Sequence, residues 1–501
     1  MPLATYIFLS FLPVFIFVIR WAWTGLHNSW RLPPGPKGWP ILGNVFDMPT
    51  EKEWLHWRRY KELYGPVSSL AVLGQHIIVL NSWDACHELL ERRSAHYSGR
   101  PEFPFAGRLI GWDQQLILAA YGDRFRAMRR LLHAYIGTRA SVSTLTPIME
   151  RKVQFHLRRM LERPEALSNY IWQLTGSILL EISHGYETQV DSPDPIVSAI
   201  EAAAKEFYIA TKPGSWIIDI LPSYIRIPEW LPGLQFPIYA KKFRQTLQDA
   251  TNLPHDYVEL EMALQKARPS FTKSFLDANS DPDIGKYTAE AIYAGGADTI
   301  AAQIDVFFLA MTLFPDVQQR VQSEIDQVVG NGRLPTYKDK DSLPFFAAVY
   351  KEVLRWHPIG PMGIPHSCDE DDEYNGLFIP KGSLILTNIW GLAHDAENYK
   401  DPADFNPSRF LPAAGTEPEP DPRTYAFGFG RRRCPGLELA EAIIFHVMTT
   451  TLAIFDVEKP TSPSGDTITP TPEFLSGTIS RPKSFSCRLV PRTSEALSLI
   501  Q

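Results

Sequence analysis

The chain has 501 residues, of which 45% are hydrophobic and 21% are charged, with 13 Trp, 19 Tyr and 28 Phe. This composition is that of a globular protein and excludes a disordered or fibrous chain. The 49 basic and 56 acidic residues give a formal net charge of -7, so no general attraction to nucleic acid is expected. The 4 cysteines lie far apart without a CxxC pair, which argues against a disulfide scaffold and a zinc site.

An apolar segment without charges opens the chain, from Leu3 to Ile19. At about 1.5 Å per residue it comes within a turn of spanning the ~30 Å hydrocarbon core of a bilayer. Unlike a cleaved signal peptide, it has no basic residue before the apolar run. The first positive charge, Arg20, follows the run, so the body is expected on the cytosolic side. We predict a transmembrane anchor over residues 1–26, a proline-rich hinge over 27–44 and one catalytic domain over 45–501.

The remainder of the chain predicts a mainly α-helical body with small β-sheets, an α+β fold. The aliphatic and β-branched runs Val67–Val72 and His76–Leu80 predict strands. The segment Thr288–Leu313 is apolar on more than one face and predicts a helix that crosses the middle of the protein, and Pro344–Trp356 predicts another helix. Residues 357–435 are rich in Pro and Gly, so they predict a long ordered coil packed on the helices.

One cysteine stands in a basic, glycine-rich loop, Phe427–Gly436, that leads into a helical pattern. The glycines let the backbone approach a flat ligand, while the helix dipole and three arginines favour a thiolate over a thiol. The loop therefore predicts an anionic sulfur ligand at Cys434. The alternatives are a structural cysteine beside a basic surface loop and a dinucleotide loop, but Arg433 occupies the position of the third glycine in the latter.

The same loop resembles the haem-binding signature of the cytochrome P450 family, Phe-x-x-Gly-x-Arg-x-Cys-x-Gly. The matching residues are Phe427, Gly430, Arg432, Cys434 and Gly436. The resemblance implies the cytochrome P450 fold and a haem b cofactor (iron protoporphyrin IX), with Cys434 as the iron ligand and Arg432 paired with a propionate. It also implies that Phe427 and Gly436 contribute to cofactor binding. A thiolate ligand favours cleavage of the O–O bond.

A charged network is predicted upstream of this loop. Glu352 and Arg355 lie three residues apart on a helix, so they share a face and can form a charge-assisted pair. Alone, such a pair is common on surface helices. It is similar to the Glu-x-x-Arg motif of the family, and the resemblance implies that Arg409 completes a buried structural triad.

Two adjacent glycines stand within the long central helix, in Ala294–Thr299. Each costs about 1 kcal/mol relative to alanine, so a compensating role is expected. A local widening of the helix would make room for O2, with Asp298 and Thr299 as an acid and a hydroxyl for proton delivery. The segment resembles the family's oxygen-activation motif, although Ile300 stands where Thr or Ser is commoner. The alternative is a helix–helix contact through small residues.

A basic helical segment, Tyr121–Arg130, is similar to the Trp-x-x-x-Arg helix of the family. Phe125 replaces the tryptophan, so an indole hydrogen bond to the haem is lost. The resemblance implies that Arg129 binds a haem propionate, and His366 is a further propionate candidate. The alternative is a solvated basic face.

As the resemblance implies, the chain is a monooxygenase that inserts one oxygen atom of O2 into a small lipophilic molecule. Its general pattern is that of fungal microsomal members, which often act in secondary-metabolite biosynthesis. The sequence shows no flavin or nicotinamide site, so electrons are expected from NADPH through a membrane-bound NADPH–cytochrome reductase. The candidate docking residues are Arg126, Arg130, Arg431 and Arg433.

The expected location is the endoplasmic reticulum membrane, with a single span, a cytosolic catalytic domain and a second apolar membrane contact at Trp216–Trp230. Two other function classes remain. One is a haem-thiolate isomerase or dehydratase that needs no external electrons, and the other is a non-catalytic haem sensor. Asp298 and Thr299 argue against both, because neither class needs proton delivery to O2.

Overall fold

The computed structural model of the chain describes residues 31–500, except 163–166, 190–191, 213, 221–234, 279–280, 414 and 416. The predicted anchor, residues 1–26, lies outside these residues. The first part of the predicted hinge and most of the predicted membrane contact at Trp216–Trp230 also lie outside them.

Helices predominate in the described residues. The longer ones are α1 Glu53–Tyr64, α2 Asp123–Ile136, α3 Thr146–Glu162, α4 Leu167–His184, α5 Pro195–Thr211, α6 Phe236–Ala263, α7 Pro282–Leu313, α8 Pro315–Val328, α9 Pro344–Trp356 and α10 Leu437–Ile454. Shorter helical turns of α, 3-10 and π type are Val45–Asp47, Trp83–Cys86, His87–Arg92, Pro104–Ile110, Trp112–Gln114, Arg139–Ser143, Ile217–Ile220, Phe271–Asp277, Tyr337–Ser342, Ile389–Ala393, Pro407–Phe410, Arg423–Ala426, Gly430–Arg432 and Ser494–Ser498.

The strands form small sheets at the periphery of the helical body. They are β1 Val67–Val72, β2 Gln75–Leu80, β3 His366–Ser367, β4 Asp372–Tyr374, β5 Leu377–Ile379, β6 Leu384–Thr387, β7 Phe455–Glu458 and β8 Arg488–Pro491. One sheet has the order β1-β2-β6-β3, and β4-β5 and β7-β8 are two-stranded. β1 and β2 are antiparallel with Val67 opposite Leu80, whereas β2 and β6 are parallel. The two strands predicted near the N-terminus are confirmed.

The region between α9 and the Cys434 loop is more regular than predicted. Instead of a coil, residues 357–435 contain β3 to β6 and several short helical turns. The prediction of a long coil is therefore wrong in this respect. These strands could not be predicted from the sequence, because each has only two to four residues and is too short to show the alternation of apolar and polar residues. β6 pairs with β2, more than 300 residues earlier, so the strand depends on a distant partner.

The long helix α7 crosses the core, as predicted, but it begins at Pro282 rather than at Thr288. It is helical without interruption through Ala294–Thr299, and the expected local widening there stays a prediction. A Cβ at Gly296 would lie 2.8 Å from the Cδ1 atom of Leu179 on α4, whereas a Cβ at Gly295 would meet no atom within 4 Å. Gly296 therefore permits close packing of α7 on α4, and Gly295 leaves space beside the helix.

Two described helices, α7 and α10, are long and apolar enough to span a membrane. In each, 78% of the apolar window is buried inside the protein. Their apolar faces therefore form the core of the helical body. α7 contacts α4, α2, α9 and α10, and this central packing frames a cavity.

Candidate functional site

A cavity of about 700 Å³ opens beside α7. It is lined mainly by apolar side chains, and the Cys434 loop forms part of its wall. The structure brings every predicted catalytic and cofactor-binding residue to this cavity. They are Arg129, Asp298, Thr299, His366, Phe427, Arg432, Cys434 and Gly436.

The Cys434 loop is held rigidly before α10. The backbone amide of Cys434 donates to the carbonyl of Phe427 at 2.8 Å. Gly430 has a φ of +52°, and a Cβ there would lie 2.2 Å from the carbonyl oxygen of Leu90. Only glycine fits this position, because a side chain would face both a left-handed backbone and a backbone clash. The loop can therefore pack closely on the helical turn His87–Arg92 while presenting the sulfur to the cavity.

Cys434 differs from the other cysteines in its accessibility. It is exposed, at the cavity, whereas Cys86, Cys368 and Cys487 are buried. The protein atoms around it raise the pKa of the Cys434 thiol, but the Gly436 amide and the guanidinium groups of Arg129 and Arg433 oppose this rise. These donors favour an anionic sulfur. The cysteine that the sequence singled out is thus the accessible one.

Three arginines line the cavity without a carboxylate partner among the described residues. Arg432 donates to the carbonyls of Ser98 and Ala119, while its Nη1 atom has no hydrogen-bond partner among the residues that the structure describes. Burial and repulsion by Arg129 lower the pKa of Arg432 to about 10. Burial also lowers the pKa of Arg129, whose Nη1 donates to the carbonyl of Arg433.

Arg100 is the third of these arginines, and the sequence did not indicate it. It donates to three backbone carbonyls, those of Ile117, Ile364 and Pro365. Burial and the nearby Arg432 hold its pKa well below the ordinary value. A lone arginine in an irregular segment carries no sequence signal, since only the fold brings it to the cavity. Together the three guanidinium groups form a positive region; Asp369 attracts Arg432 electrostatically without forming an ion pair with it.

His366 lies at the cavity next to Arg100. Its Nδ1 atom is 2.7 Å from the carbonyl oxygen of Tyr97, so Nδ1 carries the proton of the neutral ring. Nε2 is then the unprotonated ring nitrogen. Burial and the charge of Arg100 lower its pKa to about 3. Phe125 also lines the cavity, and its ring lies 4.1 Å from the guanidinium carbon of Arg432. The phenylalanine therefore orients this arginine by stacking instead of supplying an indole donor.

Asp298 and Thr299 occupy the cavity side of α7. The Thr299 hydroxyl donates to the carbonyl of Gly295 at 2.8 Å, one turn earlier on the same helix. Asp298 contacts Arg481 and accepts a hydrogen bond from the hydroxyl of Tyr208 on α5. Neither partner of Asp298 was predicted from the sequence. The acid thus joins three separate parts of the cavity wall.

The predicted triad lies outside the cavity, in a buried network. Glu352 accepts from Nε and Nη2 of Arg355, both at 2.8 Å, and its carboxylate is 3.2 Å from Nε of Arg409. Glu352 also accepts from the backbone amide of Asn406, and Arg409 reaches Glu419 as well. The side chains of Glu352 and Arg355 have no solvent exposure. The network ties α9 to the segment before the Cys434 loop.

An accessible thiol in an apolar cavity, beside arginines that form no ion pair with a carboxylate of the described residues, has the chemistry expected of a haem–thiolate protein. The chain belongs to the cytochrome P450 family, whose family model, "Cytochrome P450", matches residues 33–486. It is similar to cytochrome P450 monooxygenase claR of Ampulloclitocybe clavipes, at 46% identity over 94% of this chain and 88% of the relative.

Two other curated relatives extend this comparison. Cytochrome P450 monooxygenase 208 of Postia placenta is 42% identical over 94% of this chain and 92% of the relative. O-methylsterigmatocystin oxidoreductase of Aspergillus flavus is 34% identical over 94% of this chain and 89% of the relative. The chain is therefore a cytochrome P450 monooxygenase, and its mainly helical architecture with small sheets agrees with the fold of that family.

The residues at the cavity fit a haem. Haem is flat and apolar with two carboxylates on one edge, and the cavity offers a mostly apolar wall with three guanidinium groups that lack carboxylate partners among the described residues. The unpaired Nη1 atom of Arg432 is a buried donor that a carboxylate would satisfy. Cys434 supplies the sulfur that a haem–thiolate protein requires.

Proposed function

We propose that the chain inserts one oxygen atom of O2 into a small lipophilic substrate, using a haem b held through Cys434. The observation that carries this proposal is the accessible Cys434 thiol in the same cavity as three arginines without carboxylate partners among the described residues. When bound through a thiolate, haem iron supplies the activation of O2 that protein side chains lack. The mainly apolar wall of the cavity excludes water and suits a lipophilic molecule.

In this proposal the arginines hold the carboxylate edge of the haem. His366 joins them only when Nε2 is also protonated, because Nδ1 already donates to the carbonyl of Tyr97. Arg100, Arg129 and Arg432 are fixed by backbone carbonyls, so their positions are set before the cofactor binds. Preorganised donors avoid the cost of ordering flexible side chains during binding. Arg432 has the strongest case, because its Nη1 atom is buried without a partner.

Asp298 and Thr299 are proposed to move protons. The Thr299 hydroxyl donates its hydrogen to the Gly295 carbonyl, so its oxygen is available as an acceptor toward the cavity. Asp298 lies at the cavity wall in contact with Arg481 and Tyr208, and the Tyr208 hydroxyl is a group with which its carboxylate can exchange a proton. The pair therefore supports proton delivery at the cavity.

The electrons are proposed to come from NADPH through a membrane-bound reductase that docks on basic residues near the Cys434 loop. Arg126, Arg130 and Arg431 are exposed. Arg433 is half-buried and donates to the carbonyl of Arg423, and Arg126 is paired with the exposed Asp123, so both are weaker candidates than Arg130 and Arg431. Exposed charges of one sign steer an oppositely charged partner and make its binding sensitive to salt.

The location and substrate class rest on the sequence and on the relatives. The apolar segment within residues 1–26 supports a single-span anchor, and we propose the endoplasmic reticulum membrane with a cytosolic catalytic domain. One relative is named for the oxidation of O-methylsterigmatocystin, a small organic molecule. This likeness supports a role in secondary-metabolite biosynthesis.

The test is a CO-difference spectrum of the purified full-length protein, followed by product formation with and without NADPH and a reductase. A thiolate-type spectrum with NADPH-dependent product is the expected result. A thiolate-type spectrum with product formation that needs no NADPH would instead establish the isomerase or dehydratase class. A spectrum without the thiolate-type band would refute haem ligation by Cys434.

A further inference from the structure

A carboxylic acid without a polar partner lines the cavity well away from Thr299. Glu290 lies on α7, is 5% exposed and forms part of the cavity wall. Burial alone raises its pKa to about 8, and no hydrogen bond or ion pair reaches its carboxyl group from the described residues. A buried polar group without a partner is costly, so a function at this position is expected.

A second unpaired polar atom lies in the same part of the cavity wall. Gln115 is 1% exposed, and its Oε1 atom has no hydrogen-bond partner in the part of the chain that the structure describes. Its Nε2 atom donates to the hydroxyl of Thr251 on α6 at 3.3 Å, and that hydroxyl donates in turn to the carbonyl of Leu247. Because Thr251 has spent its hydrogen, it can only accept from the amide. The amide nitrogen therefore faces Thr251, and the amide oxygen is left unpaired.

Glu290 and Gln115 both lie near the crossing of α7 and α6. Tyr293, one turn after Glu290 on α7, donates to the carbonyl of Ala250 on α6. Ala250 precedes Thr251, which holds Gln115. Leu247 and Ala250 also line the cavity, so the two unpaired groups belong to an otherwise apolar region.

We propose that Glu290 and Gln115 anchor a hydroxyl group of the lipophilic substrate. This inference rests on the proposed function, because it assigns a substrate class to the same cavity. A hydroxyl both donates and accepts, so it can donate to the amide oxygen of Gln115 and accept from Glu290. The raised pKa keeps the carboxyl group mostly protonated at neutral pH and therefore able to donate. A carbonyl group would leave Gln115 unpaired, and an ammonium group would require an ionised Glu290.

The helix also sets where the substrate is oxidised. Glu290 precedes Thr299 by nine residues, which corresponds to about 13 Å along the helix axis. An anchored hydroxyl group is therefore held far from Thr299. Oxidation is expected at the end of the substrate that is remote from its hydroxyl group.

The test uses the full-length haem-loaded protein and three probes with the same alkyl chain: dodecan-1-ol, dodecyl methyl ether and dodecyltrimethylammonium. Binding is followed by the change in haem absorbance. Wild type should bind the alcohol about tenfold more tightly than the ether, which lacks the donor. Gln115→Met removes the acceptor of the hydroxyl hydrogen and should lose this preference. Glu290→Met removes only the donor and should weaken binding of the alcohol and the ether alike, whereas Glu290→Gln retains a donor and should bind both as wild type does. The products of dodecan-1-ol should carry the new oxygen near the methyl end.

Other outcomes overturn the inference. Tightest binding of the ammonium probe, lost equally in Glu290→Gln and Glu290→Met, would make Glu290 a charged anchor for a cationic substrate. No preference in wild type, including no response to any probe, would remove the hydroxyl anchor. If Gln115→Met does not load haem, Gln115→Leu replaces it in the comparison. The CO-difference spectrum separates the two proposals: a thiolate-type band without any preference among the probes overturns the hydroxyl anchor alone, whereas a haem spectrum without that band refutes ligation by Cys434 and the probes still report on the anchor.

Discussion

Removal of the Glu352 carboxylate should strand a buried positive charge. In Glu352→Ala, Arg355 loses its carboxylate partner and keeps only the carbonyls of Ala393, Pro402 and Asp404. Arg409 keeps Glu419 at 2.6 Å, so the main loss falls on Arg355.

The size of the effect follows from the burial of the pair. The side chains of Glu352 and Arg355 have no solvent exposure, so water cannot replace the lost carboxylate. Removing one partner of such a pair costs about 3–5 kcal/mol, against a typical total stability of about 5–15 kcal/mol. We expect a large loss of haem-loaded protein. Urea unfolding of the haem-loaded protein, followed by tryptophan fluorescence, measures the loss of unfolding free energy.

Two variants make this measurement specific. Glu473→Ala removes the same type of side chain from an exposed pair with Lys483 at 2.6 Å and should cost less than about 1 kcal/mol. The double change Glu352→Met with Arg355→Met removes both charges, so it should be less destabilising than Glu352→Ala. If the double variant is equally or more destabilised, the stranded charge is not the cause, and the lost contacts with Asn406 and Arg409 must carry the effect instead.

Three other changes test the roles of Cys434 and Thr299 at the cavity and the predicted membrane anchor. Cys434→Ala should abolish the thiolate-type band of the reduced CO complex, because another ligand cannot donate the same electron density. A retained band would exclude Cys434 as the ligand. Deletion of residues 1–30 should release the protein from membranes with haem binding intact; unchanged sedimentation with membranes would show that another segment is the main anchor. Thr299→Ala should leave NADPH consumption but lower product and raise hydrogen peroxide, since proton delivery suffers; equal yields of product per NADPH in both proteins would remove this role.

The sequence predicted elements whose signal is local. β1 and α9 have the predicted bounds, because a β-branched run and a helical apolar pattern with a proline stop are both readable within a short window. The Cys434 loop could also be predicted from the sequence, because its glycines, arginines and cysteine lie in one short segment. Each of these depends on neighbours in the chain.

The features that the sequence did not predict depend on distant partners. Asp298 meets Arg481, 183 residues later, and no local pattern relates the two positions. Arg100 meets the cavity only because the carbonyls of Ile364 and Pro365, more than 260 residues later, orient its guanidinium group. The separate roles of the paired glycines of α7 could not be predicted from the sequence either, because they depend on the neighbouring helix. Gly296 packs against Leu179, and Gly295 leaves space beside α7.

The arginines at the cavity connect cofactor binding to folding. Arg100, Arg129 and Arg432 are ordered by backbone carbonyls, and burial lowers the pKa of each guanidinium group, which means that the fold holds these charges at a free-energy cost. Two carboxylates at the same place would offset this cost through charge-assisted hydrogen bonds. Because a ligand that binds only the folded chain stabilises it, haem carboxylates placed here would raise the stability of the whole domain. The positive cluster therefore predicts that haem binding contributes to the stability of the folded domain.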